Sequence, residues 1–149
     1  MIIREATIFD HTGILKCISE WFGESSIDYP SPTKKIANWV NGVITQGYCV
    51  VAEIEGQIVG TSGMSFVKFP WNDEVWIMNN EWLHVSKEYR KGGTAKKLMK
   101  MAMDFAKERK LPVTMGIING VDTEKKKRFV QMLGWQHMGG NFIYGMGEK

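Results

Sequence analysis

A long alternating segment followed directly by an amphipathic helix limits most strongly the folds open to this chain. Side chains at residues 74–85 alternate between two faces, which predicts a long β-strand. After Gly92 and Gly93 the apolar residues recur with helical spacing from residue 95 to 106, which predicts a helix. Residues 113–118 then predict a second buried strand. Because a helix joins these two strands, we expect them to be parallel with a right-handed crossover.

The segments on either side of this unit predict further strands and helices. The two-residue connection Glu55-Gly56 favours a tight hairpin, and Asp10 is placed to cap a first helix. The other predicted strands lie at residues 1–6, 48–54 and 57–66, with a glycine-interrupted pair in 135–146, and the four predicted helices lie after Asp10, before Gly47, after Gly93 and at 122–133. The predicted order is therefore βααβββαβαββ.

Length and composition are typical of one globular domain spanning residues 1–149, with 44% hydrophobic residues to form a core. Cys17 and Cys49 are 32 positions apart without a CxxC partner, which favours reduced thiols over a disulfide framework. No apolar run approaches the ~20 residues needed to span a bilayer, and Arg4 and Glu5 interrupt any signal-like start. We therefore expect a cytoplasmic protein without membrane contact. No metal is expected, since metal-ligand spacing is absent among His11, His84 and His137.

Charge is divided unevenly along the chain. Residues 87–128 carry a formal net charge of +8, whereas residues 1–86 carry −5. The overall value of +3 hides this asymmetry, which indicates two ligands of different charge.

The start of the third predicted helix carries the clearest chemical signal. Gly92 and Gly93 allow a ligand to approach the backbone closely, and the N–H groups of the first helical turn have no intrahelical acceptor. A helix N-terminus of this kind binds anions. Positive charge is added by Arg90, Lys91, Lys96 and Lys97, so the site suits a polyphosphate.

The pattern Arg90-x-x-Gly93-x-Ala95 resembles the pyrophosphate-binding signature of the GNAT superfamily of acyl-CoA-dependent N-acetyltransferases. The preceding run from Val85 to Arg90 resembles the family's V-x-P-E-Y-R, with Lys87 in place of proline. The resemblance extends to the predicted element order, and it implies a mixed α/β (α+β) fold: a central, mostly antiparallel sheet of six or seven strands flanked by about four helices.

The same resemblance implies acetyl-CoA as cofactor, held by main-chain amides at the helix start and by β-strand-like pairing of the pantetheine arm. It also implies a bulge in the long strand and a slot where the parallel strands separate beyond Val85 and near Ile118. The implied coenzyme A contacts are Leu83, His84, Val85, Arg90, Lys91, Gly92, Gly93, Thr94, Ala95, Lys96 and Asn119.

Acetyl transfer to an amine needs a group that accepts a proton from the ammonium. Glu81 lies four residues before Val85, where small-amine acetyltransferases of the family often carry a glutamate, and Asn79, on the same strand face together with Leu83, is placed to orient water. The alternative for Glu81 is a strand-edge carboxylate paired with a lysine. Many family members carry a tyrosine that protonates the departing thiolate, and this chain has Val130 at that position. At the family's usual asparagine position the chain has Thr123. Tyr144 is the substitute acid or, alternatively, an ordinary packed tyrosine.

Tryptophans cluster just before the motif, beside acidic residues, and an acidic, aromatic-lined cleft would attract a cationic amine. From this cluster Trp71, Asp73 and Trp82 are predicted to bind the acceptor, with Trp76, Glu74 and Glu81 nearby. The alternative is ordinary core and strand packing.

Together these features predict an N-acetyltransferase that moves acetyl from acetyl-CoA to a primary amine by direct attack in a ternary complex. A non-catalytic acyl-CoA-binding or assembly module is the alternative motivated by Val130. A nucleic-acid-binding domain using residues 125–128 is a second rival, disfavoured because no nucleic-acid motif accompanies these charges; a solvated helix face or a contact to the coenzyme's ribose phosphate also explains them. The acceptor, small molecule or protein, stays open, and a homodimer is compatible with family analogy.

Overall fold

The antiparallel and parallel parts of the predicted fold meet in one sheet. A computed structural model of the chain describes residues 1–140, 142, 144–147 and 149. The strands are β1 (Ile2–Glu5), β2 (Tyr48–Ile54), β3 (Gln57–Phe69), β4 (Asn72–Val85) and β5 (Val113–Met115); the helices are α1 (His11–Glu24), α2 (Thr33–Gln46), α3 (Thr94–Glu108) and α4 (Thr123–Met132), with 3₁₀ turns at Ile8–Asp10 and Lys87–Gly92. The sheet order is β1-β2-β3-β4-β5, antiparallel except between β4 and β5. The mixed α/β class, mostly antiparallel, is confirmed.

The strand pair predicted within residues 135–146 does not form in the described part of that segment. Met138, Phe142 and Tyr144 are each at least 90% exposed, so they bury no face against the sheet. Gly139 and Gly140 add backbone freedom that pairing would have to overcome. Asn141 and Ile143 lie outside the described residues. The described sheet therefore has five strands rather than six or seven.

The hairpin between β2 and β3 is confirmed. Ile54 lies opposite Gln57, and the two connecting residues, Glu55 and Gly56, both have positive φ, 49° and 77°. Two consecutive left-handed residues give a turn whose twist matches that of the paired strands.

Helices cover both faces of the sheet. On one face α3 buries Leu98, Met99, Ala102 and Ala106 against the strands, as its helical spacing predicts. On the other face α1 and α2 bury Ile14, Cys17, Ile18, Val40 and Val43 together with Cys49, Val51, Ile58 and Trp82. Among the described residues no helix has the length and apolar character needed to cross a membrane.

Arg4 ties the first strand to its surroundings. Its guanidinium donates to Asp10 at 2.7 and 2.8 Å and to Glu53 at 2.7 and 2.9 Å. Asp10 stands at the N-cap position of α1, but its carboxylate accepts from Arg4 and from the N–H of Thr7 at 2.7 Å, and makes no cap bond to α1. Asp10 therefore occupies the predicted N-cap position, but its side chain does not cap α1, because it binds the stronger donor Arg4. The Arg4 hydrogen bond lowers the pKa of Asp10 to about 2.

Candidate active site

Glu81 is the extra residue of a β-bulge in β4. Asn80 lies opposite Met64 of β3 and Trp82 lies opposite Gly63, so Glu81 has no partner in this ladder. A bulge changes which face the following side chains reach. Leu83 packs against the α3 core whereas Trp82 is buried beneath α1 and α2.

The predicted grouping of Asn79, Glu81 and Leu83 on one face is therefore wrong at Leu83. Met78, next to Asn79, is buried in the same α3 core that Leu83 contacts, so Leu83 lies across the sheet from Asn79. Asn79 and Glu81 remain together. The cause is the single inserted residue, which reverses the alternation beyond it.

A chain of side-chain hydrogen bonds fixes the Glu81 carboxylate. The Thr114 hydroxyl on β5 donates to Asn79 Oδ1 at 3.0 Å, and Asn79 Nδ2 donates to Glu81 Oε1 at 3.2 Å. The Ser65 hydroxyl on β3 donates to the same Oε1. Because Asn79 Oδ1 is already accepting from Thr114, its amide is oriented to donate to Glu81. Side chains from β3, β4 and β5 thus fix the Glu81 carboxylate, and both direct donors, Ser65 and Asn79, bind its Oε1 atom.

β4 and β5 separate beside this carboxylate. They pair only at Met78 with Val113, Asn79 with Thr114 and Asn80 with Met115. From residue 81 to 85, β4 pairs with β3 on one edge, and the described residues supply no strand to its other edge. The gap therefore opens after Asn80, five residues earlier than predicted, because the bulge turns β4 away and β5 ends at Met115.

The start of α3 forms an anion cradle, residues 92–96, at the far end of this gap. Gly93 has φ of +71°, and the first intrahelical bond is donated by the N–H of Lys97 to Gly93 at 3.1 Å. The N–H groups of Thr94, Ala95 and Lys96 have no acceptor among the described residues. The buried Thr94 hydroxyl donates to the carbonyl of Tyr89 at 3.0 Å, which fixes the turn. Lys91 and Lys96 are exposed beside these groups.

Arg90 and His84, both predicted coenzyme contacts, bind α1 instead. Arg90 makes a bidentate pair with Glu24 at 2.7 and 2.8 Å, and its Nε donates to the carbonyl of Val85 at 2.7 Å. His84 Nε2 and the Ser86 hydroxyl both reach Glu20 Oε2, at 3.1 and 2.7 Å. We call these contacts the α1 clamp.

Protonation in the α1 clamp follows from burial. Burial lowers the pKa of His84, so the ring is neutral at neutral pH and its Nε2–H donates to the carboxylate. Burial alone would raise the pKa of Glu20, but hydrogen bonds from Ser86 and His84 outweigh it and hold the pKa below its ordinary value. The clamp therefore fixes α1 at the end of β4 without a buried charge on His84.

Four residues of these networks are not among the site residues predicted from the sequence: Ser65, Thr114, Glu20 and Glu24. Glu20 and Glu24 are four residues apart on one helix face. Two carboxylates at this helical spacing, together with a basic segment elsewhere in the chain, are the sequence pattern from which the α1 clamp could have been predicted. Ser65 and Thr114 carry no such signal, since their role depends on strand register.

The three predicted acceptor residues do not come together. Trp71 is 80% exposed and stacks on Phe69 with 5.1 Å between ring centroids, and Asp73 is exposed at the same hairpin tip. Trp82 is only 2% exposed and packs edge-on against Trp39 at 4.8 Å. Trp82 is therefore a core residue, as the alternative interpretation held, because the bulge turns it under α2.

A cleft of about 810 Å³ opens between α2 and strands β3 and β4, and we call it the α2 cleft. From the predicted group of tryptophans and acids, only Trp76 and Glu81 line it. The other lining residues are Asn38, Trp39, Gly42, Val43, Gln46, Gly47, Ser65, Phe66 and Leu111. The Glu81 carboxylate thus lies among the residues that line this cleft, and it follows directly after Asn80, the last residue of β4 that pairs with β5.

The remaining predicted residues make no hydrogen bond to Glu81 in the part of the chain that the structure describes. Tyr144 is fully exposed, so its side chain packs against no acid–base group. Asn119 is buried and acts locally: its carbonyl accepts from the N–H of Ser26 at 2.9 Å, and its side chain accepts from Lys126 at 2.6 Å. Val130 lies on α4. In the described residues no three metal-binding side chains gather into a site.

The separated strands β4 and β5 and the helix N-terminus at Gly93 have the geometry of a site for a phosphate-bearing ligand. The family model described as acetyltransferase (GNAT) family matches residues 14–135, and the chain belongs to that family. No curated protein matches the sequence.

Solved structures with the same fold are distant in sequence. The aminoglycoside N-acetyltransferase AAC(6')-Iy, solved with the bisubstrate analogue CoA-S-monomethyl-acetylneamine, is 13% identical, with a TM-score of 0.76 and coverage of 96% of this chain and 95% of that chain. A predicted acetyltransferase from Clostridium acetobutylicum, solved with acetyl-CoA, is 17% identical, with a TM-score of 0.75 and coverage of 97% of this chain and 95% of that chain. The ribosomal-protein-alanine N-acetyltransferase from Brucella melitensis biovar Abortus 2308 is 15% identical, with a TM-score of 0.68 and coverage of 97% and 99%. These likenesses establish the fold and agree with an acetyl-CoA cosubstrate.

Proposed function

We propose that this chain, as a single domain, transfers the acetyl group of acetyl-CoA to a primary amine by direct attack within a ternary complex. The observation that carries the proposal is the order of features along β4: the bulged Glu81, the gap beside it, and the anion cradle beyond Val85. Val85 lies four residues after Glu81 along the strand, a distance of about 13 Å at ordinary strand rise. A donor anchored in the cradle and laid along this edge would present its far end to the carboxylate.

The residues at the start of α3 fit the phosphates of coenzyme A. The N–H groups of residues 94–96 lack acceptors among the described residues, and Lys91 and Lys96 are exposed beside them. When bound, acetyl-CoA supplies an acetyl thioester as the acyl donor. The main chain at Leu83 lies on the unpaired edge and can pair with the pantetheine arm. The carbonyl of Val85 already accepts a hydrogen bond from Arg90, so only the N–H of Val85 is available to pair with the pantetheine arm.

Glu81 is the proton acceptor in this proposal. A primary amine must lose a proton before its nitrogen is nucleophilic. Ser65 and Asn79 donate to Oε1 of Glu81, which leaves Oε2 to accept a proton from the ammonium. Overall, R–NH₃⁺ and the acetyl thioester give the acetamide, free coenzyme A thiol and one released proton: an N–C bond forms and the C–S bond breaks.

No side chain is placed as a general acid in the described residues. Val130 occupies the usual tyrosine position, and Tyr144 is fully exposed. A thiol has a pKa near 8.5, so the thiolate leaves without an enzymatic proton donor at modest cost in rate. The same observation favours a second candidate function, a non-catalytic acyl-CoA-binding module.

Calorimetric titration with acetyl-CoA, followed by a free-thiol release assay over a panel of primary amines, tests the proposal. We expect Glu81→Gln to keep acetyl-CoA binding and to lower kcat/KM at pH 7 by about 100-fold or more, the usual contribution of a general base. The loss should shrink at high pH, where more amine is already neutral. Glu74→Gln removes an exposed carboxylate from the same strand and should leave kcat/KM unchanged.

Each outcome separates the candidates. Equal rates for Glu81→Gln and the unmodified protein at neutral and high pH would contradict the role of Glu81. Binding of acetyl-CoA without turnover of any amine would favour the non-catalytic module, and absence of binding would exclude both functions.

A further inference from the structure

Charge is scarce in the α2 cleft. Among the described residues that line it, Glu81 is the one ionisable side chain. Helix α2, which forms one wall, contains no acidic residue and begins with Lys34 and Lys35. The cleft therefore offers a counter-charge to a single ammonium group.

The rim of the α2 cleft adds positive rather than negative charge. Lys68 of β3 places its ammonium 4.8 Å from the centre of the Trp76 ring. Asp73 and Glu74 lie near the start of β4, are exposed, and do not line the cleft. A second ammonium on the same ligand would find no carboxylate besides Glu81 among the described lining residues, and it would approach Lys68. Such an unpaired charge disfavours binding.

The walls of the α2 cleft are largely aromatic. Trp39, Phe66 and Trp76 line it, and Trp76 is 49% exposed. Aromatic faces of this kind bind flat or apolar bodies with little loss of conformational entropy. Asn38 and Gln46 add neutral hydrogen-bonding groups without charge. The volume of about 810 Å³ falls in the range of small-molecule sites.

We propose that the acceptor is a small monoamine with an apolar, preferably aromatic, body, the chemistry of an arylalkylamine. This inference rests on the proposed acetyl transfer at Glu81. The ammonium lies at Glu81 and the body extends along the cleft past Trp39 toward Phe66 and Trp76, which line the cleft from the opposite face of the sheet. Polyamines and aminoglycosides, which carry several ammonium groups, are disfavoured.

Gly42 provides a direct way to block the cleft. It lies in α2, lines the cleft, and a Cβ added there meets no heavy atom within 4 Å. Leucine in place of glycine favours the helix, so Gly42→Leu should fold while its side chain fills the cleft. Gly23→Leu is the matched control, because Gly23 is also a helical glycine with open space, and it lies on α1 outside the cleft.

The test measures thiol release with acetyl-CoA and phenethylamine, spermidine or kanamycin, together with quenching of tryptophan fluorescence on titration of each amine. We expect kcat/KM for phenethylamine to exceed that for spermidine and kanamycin by at least 10-fold. Gly42→Leu should lower phenethylamine kcat/KM and binding by at least 10-fold while acetyl-CoA binding persists, and Gly23→Leu should change neither.

The two proposals fail in different ways. Faster turnover of spermidine or kanamycin, or full phenethylamine activity in Gly42→Leu, would overturn the acceptor class and leave acetyl transfer standing. Phenethylamine binding that Gly42→Leu removes, without thiol release, would support the acceptor class and overturn acetyl transfer. Absence of both binding and turnover with phenethylamine would overturn the acceptor class.

Discussion

The left-handed conformation of Gly93 is the backbone feature on which the anion cradle depends. An L-residue at φ of +71° costs about 1–2 kcal/mol, although a Cβ at Gly93 meets no atom within 4 Å. In Gly93→Ala the chain can relieve this strain by turning the Gly93–Thr94 peptide, which takes the N–H of Thr94 out of the cradle. An anion at a helix N-terminus gains roughly 0.3–2 kcal/mol, so we expect the Kd for coenzyme A to rise by up to about 30-fold.

Gly134→Ala is the matched control for this prediction. Gly134 follows α4, has φ of +89°, and likewise leaves open space where alanine would place its Cβ. Both variants should lose about 1–2 kcal/mol in the free energy of unfolding measured in urea, but only Gly93→Ala should weaken coenzyme A in calorimetry. Equal affinities in the two variants would refute the reasoning, since backbone strain alone would then account for every effect.

Two further predictions concern the hydrogen-bond networks. Thr114→Val removes the hydroxyl donor that orients Asn79. We expect kcat to fall about 5-fold, which corresponds to the loss of one hydrogen bond of about 1 kcal/mol, while KM for acetyl-CoA stays unchanged and Thr114→Ser restores kcat. A change in KM without a change in kcat would contradict this prediction. In the folded protein the pKa of Asp10 is lowered from 3.8 to about 2, so its stabilisation is present above pH 4 and is lost as the pH falls toward 2. Asp10→Asn should therefore destabilise the fold by up to about 2 kcal/mol at pH 7, reduced by solvent screening of Arg4, and urea unfolding at pH 7 and pH 2.5 should show this difference shrinking in acid.

The parts of the fold that were predicted from sequence depend on local patterns. The α3 stripe at Leu98, Met99 and Ala102 and the Glu55-Gly56 hairpin each report on neighbouring residues only. The helix start at Gly93 is likewise a local signal, because glycine is the residue that tolerates its backbone conformation. Features of this kind can therefore be predicted from the local sequence.

Features that depend on register were not predictable in the same way. Phe69 pairs with Asn72, but Lys68 pairs with Trp76, and a second irregularity leaves Glu81 unpaired. If the pairing of Phe69 with Asn72 continued along β3 and β4 without these shifts, Ser65 would lie opposite Trp76 rather than Asn79. The contact between Ser65 and Glu81, and the position of Leu83, therefore follow from irregularities that alternation alone does not reveal.

The acidic excess of the first 86 residues also has a different meaning in the folded chain. Asp10 and Glu53 bind Arg4, Glu24 binds Arg90, and Glu20 accepts hydrogen bonds from His84 and Ser86. These carboxylates hold the first strand and α1 in place, so they do not contribute an acidic surface to the α2 cleft. A segment's net charge therefore does not predict the charge of a cleft within it, because the cleft takes its field from the few side chains that line it. Among the described residues that line the cleft, that field comes from Glu81 alone. The acceptor proposed above would therefore be recognised through one ion pair and aromatic contact rather than through long-range attraction.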